Sequence, residues 1–368
     1  MTRVLLPGIL LVAASAACFG ADRPAVGAIR WDAWTGGDIT QQVERTLGPK
    51  KYHDRLPWFA QVIDDGKVRI DGSRQAIMDR EIELAAAAGL DYWAFLVYPK
   101  HSPMSTALEQ YRKSQKRSKI RFCMILHNTL TVPDAEWPDE RDRAVALLKE
   151  PGYQTVLTDR PLVYAFTGRE FPLDRFSEFL AAARKEGLHP YCVYMGWNPA
   201  ADFERMRHKG FDAVSAYAKG GSQASFAELA KAVEKDYWEQ AARARVPYIP
   251  LVTTGWDKNP RKDNPVSWEK GHSYHRQDVF PSRAEPAEIA RHLGNALAFV
   301  RRHREVCQAQ AVILYAWNEY DEGGWIAPTL RADGAADTSR LDAIREVLKK
   351  EQEPAREPPQ PSRAAQPH

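Results

Sequence analysis

Short apolar runs alternate with amphipathic ones along most of the chain. The apolar runs fall at 26–34, 92–98, 120–127, 162–166, 191–197, 213–218, 248–253 and 312–317. Each has strand length, and most are near-continuous rather than alternating. That is the pattern of parallel strands buried on both faces. Between them lie segments with helical spacing. In 73–88, Ile77, Glu81, Leu84, Ala85 and Ala88 share one face, and Gly89 follows as a C-terminal stop. Further helices are expected over 141–149, 176–186, 201–209, 225–244 and 285–306. Strands and helices interleaved in this way predict an α/β fold, a single-domain (β/α)8 TIM barrel. The rival is a doubly wound open sheet. Its usual Gly-rich phosphate turn, G-x-G-x-x-G or G-x-x-x-x-G-K-[ST], does not occur in the sequence. Two connections, 35–72 after the first strand and 254–284 after the seventh, are too long for plain links. In a barrel both leave the C-terminal face, where long loops build binding sites.

Composition changes this picture little. Of 368 residues, 44% are hydrophobic and 27% charged, enough for a large core. A net charge of +3, with no basic tract interleaved with aromatics, gives no reason to expect a nucleic-acid partner.

The ends differ from the middle. Arg3, the apolar run 4–14 and the small residues Ser15-Ala16-Ala17 read as a cleaved secretory signal within 1–21. Cys18 offers a lipoprotein alternative, against which Ser15 stands where such signals usually carry Leu. No other run is long enough to span a bilayer. The barrel is therefore expected over 22–350, in a secreted or periplasmic protein. The Pro-, Glu- and Gln-rich tail, from about Lys349 and assigned to 351–368, is expected to be disordered. After Cys18 come Cys123, Cys192 and Cys307, an odd set without close pairing that reads as small buried hydrophobes. No Cys/His spacing resembles a metal site.

The chemistry collects at the predicted strand ends, where a barrel assembles its active site. Strand one ends on Trp31, Asp32 and Trp34, strand two on Tyr98, strand three on His127 and Asn128. Strand five ends on Trp197 and Asn198, strand six on Tyr217, strand seven on Trp256 and Asp257. Strand eight runs into Trp317-Asn318-Glu319-Tyr320-Asp321-Glu322-Gly323-Gly324-Trp325. Carboxylates that move protons, beside indoles that stack on pyranose rings, are what a sugar-cleaving site needs. Each Trp alone, and an Arg30–Asp32 ion pair, has a packing explanation. Their joint recurrence over several strand ends favours a site. Residues three apart on an extended strand point to opposite faces, so Glu319 and Glu322 can share a pocket only if the chain turns between them. Gly323-Gly324 eases such a turn. Asp321 shares strand parity with Glu319 and competes for the role.

The stretch 317–323 resembles the Trp/Phe-Asn-Glu-Trp-x-Glu-Gly motif of glycoside hydrolase family 99 and its bacterial family 99-like relatives, some of them linked to polysaccharide biosynthesis. Residues 79–95 resemble the first helix and second strand of those relatives. The order of elements is similar over most of 25–350, and only these two stretches are close. The resemblance implies a (β/α)8 barrel without organic cofactor, retaining configuration, that acts on α-mannosides or mannans. It implies that Glu322 is the general acid/base. Glu319 would be the second carboxylate, assisting attack by the substrate 2-hydroxyl. Tyr320 in place of Trp, Asp321 where the endo-mannosidases carry His, and the differing continuation 324–328 bear on mannose specificity more than on the acid/base pair. The expected protein is thus a monomeric glycoside hydrolase acting on an oligo- or polysaccharide, with no metal. Its alternatives are a non-catalytic glycan-binding barrel and a polysaccharide-biosynthesis protein. The leader counts against the last, since nucleotide-sugar donors are cytoplasmic.

Overall fold

The computed structural model describes residues 23–166 and 170–352. The signal segment lies outside these residues, as does the tail beyond Gln352.

The apolar runs form the staves of a barrel: β1 (Ala25–Arg30), β2 (Tyr92–Val97), β3 (Arg121–Leu126), β4 (Arg160–Ala165), β5 (Tyr191–Met195), β6 (Ala213–Ser215), β7 (Leu251–Thr253) and β8 (Ala311–Tyr315). Their hydrogen-bonded order is β7-β8-β1-β2-β3-β4-β5-β6, and each adjacent pair is parallel. Between β6 and β7 a parallel bridge joins Val214 to Tyr248, and Ile249 N–H donates to the Val214 carbonyl at 3.0 Å. The barrel is nearly closed. Because β6 and β7, the two edges of that order, are bridged to each other, the sheet curls on itself and the open doubly wound sheet is excluded.

Burial explains the near-continuous hydrophobicity. In β2 every residue is buried, and β3 and β4 expose only their first residue in part. One face of each stave packs inside the barrel and the other against helices, so alternation would leave polar groups stranded. The helices are α1 (Gln75–Ala87), α2 (Thr106–Lys113), α3 (Trp137–Leu147), α4 (Leu173–Lys185), α5 (Pro199–Met206), α6 (Phe226–Val233), α7 (Pro286–Arg302) and α8 (Ser339–Gln352). A π-helical turn, Glu234–Trp238, carries α6 on into Glu239–Ala244. A capping box at the start of α6, Ser225 with Glu228, satisfies two orphan N–H groups reciprocally.

Three helices of 8 residues or more were not anticipated: α2, α8 and Gly37–Leu47 in the first long loop. All three are polar on most faces and bury only a narrow stripe, such as Leu341, Ile344 and Leu348 in α8. So weak a stripe is hard to tell from a loop in sequence. Helix α8 also runs past Lys349, where a disordered tail was expected to begin. The strands in turn end earlier than expected. Asp32 to Trp34 and Asn198 therefore sit on connecting turns, free of the in–out alternation of a strand. Among the described residues, no helix is long and apolar enough to cross a membrane.

Candidate active site

A cleft of about 790 Å³ opens at the C-terminal ends of the strands. Its floor is the turn that follows β8. Asn318–Glu319 and Gly324–Trp325 form a two-residue ladder around a single 3-10 turn, Tyr320–Glu322. That turn resolves the parity problem, because it brings Glu322 to the same cleft as Glu319. Gly323 makes it possible. Its φ is +82°, and a Cβ there would come within 2.3 Å of the Asp257 backbone N. The Asp257 N–H in turn donates to the Glu322 carbonyl at 2.8 Å, pinning the turn to the loop after β7. The peptide joining Tyr315 to Ala316, just before this turn, is cis.

The two glutamates differ in surroundings. Glu319 accepts from the Tyr217 hydroxyl at 2.5 Å through Oε1, and its buried Oε2 has no hydrogen-bond partner. Burial, then the charge of Glu322, holds its carboxyl well above the usual carboxylate range, against the opposing pull of Arg261 and Tyr217. Glu322 Oε1 receives Lys258 Nζ at 2.9 Å and Arg261 Nη1. Its Oε2 accepts from the Tyr315 hydroxyl at 2.6 Å.

The cations come from the loop after β7, on or just before the short helix Asn259–Asp263. Arg261 is 1% exposed. It grips Asp321 with two bonds, Nε to Oδ2 at 2.7 Å and Nη2 to Oδ1 at 3.0 Å. It also reaches Glu269 Oε1 at 2.9 Å. Lys258 meets the same Glu269 oxygen at 2.7 Å, and Tyr274 donates to the other at 2.7 Å. Burial would raise the Glu269 pKa, but Arg261 and Lys258 outweigh it and bring the group down to about 2. Two buried cations are thus shared among three buried carboxyls. This is the arrangement in which buried charge is tolerated.

Aromatic walls rise around this floor. Trp31 and Trp268 meet at 5.9 Å between ring centroids, with the Arg261 guanidinium over both. Trp256 takes Lys258 over its face at 4.7 Å. Trp31 Nε1 donates to the Tyr98 hydroxyl at 3.0 Å. On the opposite side, Phe166 stacks between His127 and Tyr217, at 5.4 and 4.6 Å. His127 Nδ1 donates to the Phe166 carbonyl at 2.8 Å. Burial lowers the His127 pKa despite that bond, so a neutral ring with Nε2 as acceptor lines the cleft. Trp197 stands 54% exposed at the rim, next to Phe166, and Asn128 is exposed beside His127.

The cleft thus gathers Trp31, Tyr98, His127, Asn128, Trp197, Tyr217, Trp256, Glu319 and Glu322 among the expected site residues. The other expected site residues do not line it. Asp32 is locked to Arg30 at 2.7 Å, which also holds Glu81 at 2.9 Å, and it accepts from Asn318 Nδ2 at 3.0 Å. Asn318 Oδ1 accepts the Trp31 N–H at 2.9 Å. Both are joints between β1 and the β8 turn. Trp34 packs edge-on against Tyr320 at 5.2 Å, and Trp317 against Trp93 at 5.0 Å. All three of Trp34, Tyr320 and Trp317 are core residues. Asn198 caps α5, accepting from Ala201 N–H at 3.2 Å. Asp257 pairs with Arg55 at 2.7 Å. Trp325 lies under the Arg340 guanidinium at 3.9 Å. Asp321, the competitor of Glu322, is fully buried beneath Arg261. Its raised pKa comes from burial, opposed by Arg261.

Sequence reasoning missed Lys258, Arg261, Trp268, Glu269, Tyr274 and Tyr315. For all but Tyr315, which ends β8, the available signal was the length of the loop after β7. Among the described residues, no group of three His, Cys, Asp or Glu side chains is placed to hold a metal ion. A larger hollow of about 1000 Å³ lies beside Trp325 and Arg340. Much of its charge is internally paired, Arg283 with Asp54 and Arg331 with Asp333, and it has no counterpart to the two cleft glutamates.

No family model matches the chain, and no curated protein matches it. Solved structures do. A glycoside hydrolase-like protein superposes with a TM-score of 0.58 at 15% identity, over 91% of this chain and 96% of that one. The family 99 endo-α-mannosidase of Bacteroides thetaiotaomicron superposes with a TM-score of 0.54 at 11% identity, over 89% of this chain and 98% of that one. The fold is that of the family 99-like glycoside hydrolases. At these identities the likeness carries the architecture, and the site must be argued from its own residues.

Proposed function

We propose that this protein is a glycoside hydrolase that cleaves a polysaccharide or glycan chain with retention of configuration. Glu319 and Glu322 are its two working carboxyls. The observation that carries the reading is their placement together on the floor of one aromatic-walled cleft, one with an unpartnered buried oxygen and the other ringed by donors. Trp31, Trp256 and Trp268 offer flat faces for sugar rings, while Asn128, His127 and Gln277 supply hydrogen-bonding edges for hydroxyls. The likeness in fold to an endo-α-mannosidase supports the reaction class. The leader-like N-terminus supports a secreted or periplasmic setting, in which extracellular glycans are the substrates at hand.

The test is a screen of purified glycans for newly released reducing ends, with NMR reading the first anomer formed. Hydrolysis with retention is expected. Glu319→Gln and Glu322→Gln should each lower turnover by on the order of 10²–10⁴-fold while the fold, read by circular dichroism, is kept. Tight glycan binding with no cleavage by the unaltered protein would replace this reading with that of a non-catalytic glycan-binding barrel.

A further inference from the structure

The loop after β7 brings one acid to the cleft, Glu269, and it shares both of its cations with Glu322. Glu269 Oε1 receives Lys258 Nζ at 2.7 Å and Arg261 Nη1 at 2.9 Å. The same Nζ lies 2.9 Å from Glu322 Oε1, and the same Nη1 also meets that oxygen. Each cation therefore bridges one oxygen of Glu269 to one oxygen of Glu322. The family resemblance makes Glu322 the general acid, which must carry a proton. Two buried cations at its carboxyl oppose that proton. Counting the charges removes the conflict. Asp321 matches Arg261 through two bonds of its own, at 2.7 and 3.0 Å, and Glu269 matches Lys258. With both cations matched elsewhere, a proton on Glu322 strands neither of them. The cations reach only Oε1, which accepts from them whether the group is charged or neutral. Oε2, beside the Tyr315 hydroxyl at 2.6 Å, is left for the proton, on a side chain that keeps 10% exposure to the cleft.

We propose that Glu269 is a positioning residue that offsets the charge of Lys258 and Arg261, so that Glu322 can hold the proton it passes to the glycosidic oxygen. This rests on the glycosidase reading above. Glu269 itself gains and loses no proton. Arg261 and Lys258 bring it down to about 2, and it stays ionised wherever the enzyme would work. Tyr274 fixes its other oxygen at 2.7 Å, and His275 Nε2 meets its main-chain carbonyl at 3.1 Å. The remaining groups that face Glu322 do not take this part. Tyr315, Tyr217 and Tyr274 are phenols that burial keeps neutral. Asp321 is committed to Arg261, and burial holds Glu319 well above the usual carboxylate range. Among the described residues, Glu269 is the one acid whose ion pairs are both with the cations on Glu322. When the Glu322 proton leaves, the same two cations meet the carboxylate that forms.

The test removes the anion and one cation in turn. Glu269→Gln keeps the shape and an accepting oxygen and loses the charge. On the glycan that the screen identifies, the alkaline limb of its kcat/KM profile should move to lower pH by about 1 unit. Activity on the acid side of the profile should stay close to that of the unaltered protein. Glu269→Asp, which keeps the charge, should bring the limb back. Lys258→Met should move the limb the other way, to higher pH. A merely structural role would lower the rate at every pH and leave the limb in place, and that result overturns the inference. Shifts of the same sign in Glu269→Gln and Lys258→Met also overturn it, since a loosened loop acts alike in both. A second measurement needs no substrate. The protein is labelled with ¹³C at the glutamate side-chain carboxyl and titrated by NMR, and the signal missing from Glu322→Gln is followed. Its midpoint should fall in Glu269→Gln and rise in Lys258→Met, and an unmoved midpoint overturns the inference. If the unaltered protein cleaves no glycan, the glycosidase reading fails, and the NMR midpoints alone decide whether Glu269 offsets the two cations.

Discussion

The loops after β1 and β7 are the two long connections of this barrel, and they contribute unequally. The first folds into the helix Gly37–Leu47 and a hairpin, Gln61–Asp64 with Lys67–Arg69. It closes the side of the molecule and gives the cleft only Ile39. The second has little regular structure, yet it delivers Trp256, Lys258, Arg261, Trp268, Glu269 and Tyr274 to the cleft. The difference lies in where polar groups end up. The hairpin keeps its charges in water, whereas the loop after β7 buries two cations against the acids of the β8 turn. Length marked both loops as site-builders. Buried charge made only one of them so.

Breaking the buried network should produce the largest effect. Arg261→Met leaves Asp321, Glu322 and Glu269 without their shared cation, and should cost ~3–5 kcal/mol in urea unfolding. Part of that loss should be recovered at acid pH, where the carboxyls neutralise. If the variant is as stable as its parent, the network is not what seats the loop. Arg55→Met, in the first loop, removes the partner of Asp257 and should cost about 1–3 kcal/mol, so the two arginines calibrate the two loops against each other.

The pH dependence of stability sharpens the same contrast, with opposite signs for two neighbours. Glu319 binds its proton more tightly folded than unfolded, so the stability it contributes is complete below the ordinary glutamate range. That stability drains away as pH rises toward its raised value. Glu269, brought down to about 2, contributes stability above the ordinary range that is lost as pH falls toward that value. Denaturant melts across pH should therefore decline more gently on the alkaline side in Glu319→Gln than in the parent. An unchanged decline would place the titrating group elsewhere.

At the rim the effects shrink. Trp197→Ala should leave the melting curve alone and weaken glycan binding by about 1 kcal/mol, roughly fivefold in affinity by calorimetry. No loss of affinity would exclude the rim from the site. Smallest of all, Val62→Ser and Ile63→Ser on the exposed hairpin should change stability by no more than ~0.5 kcal/mol and leave turnover untouched. A fall in turnover there would erase the distinction between the loops.

Much of the barrel was legible because its signal is local. Each stave is a short apolar run, and each interior residue faces packing whichever way it points. The candidate site was legible in outline for the same reason, since strand ends locate Trp31, Tyr98, His127, Trp197 and Trp256. Its polar residues divided differently. Asp32, Asn318 and Asp321 have the chemistry of site residues but are spent on internal hydrogen bonds. Composition does not distinguish an acid that meets substrate from one that meets arginine.

What the sequence by itself determined is therefore the architecture and the segment that carries the acids. Periodicity and turn chemistry act over a few residues and survive in one dimension. What only the tertiary structure decided is which of three acids within four positions face the cleft, and how each is charged. That depends on a 3-10 turn kept open by Gly323 and on Arg261, sixty positions away in the chain. The energy of a buried carboxyl is set by the donors that reach it in space, and no local pattern encodes them.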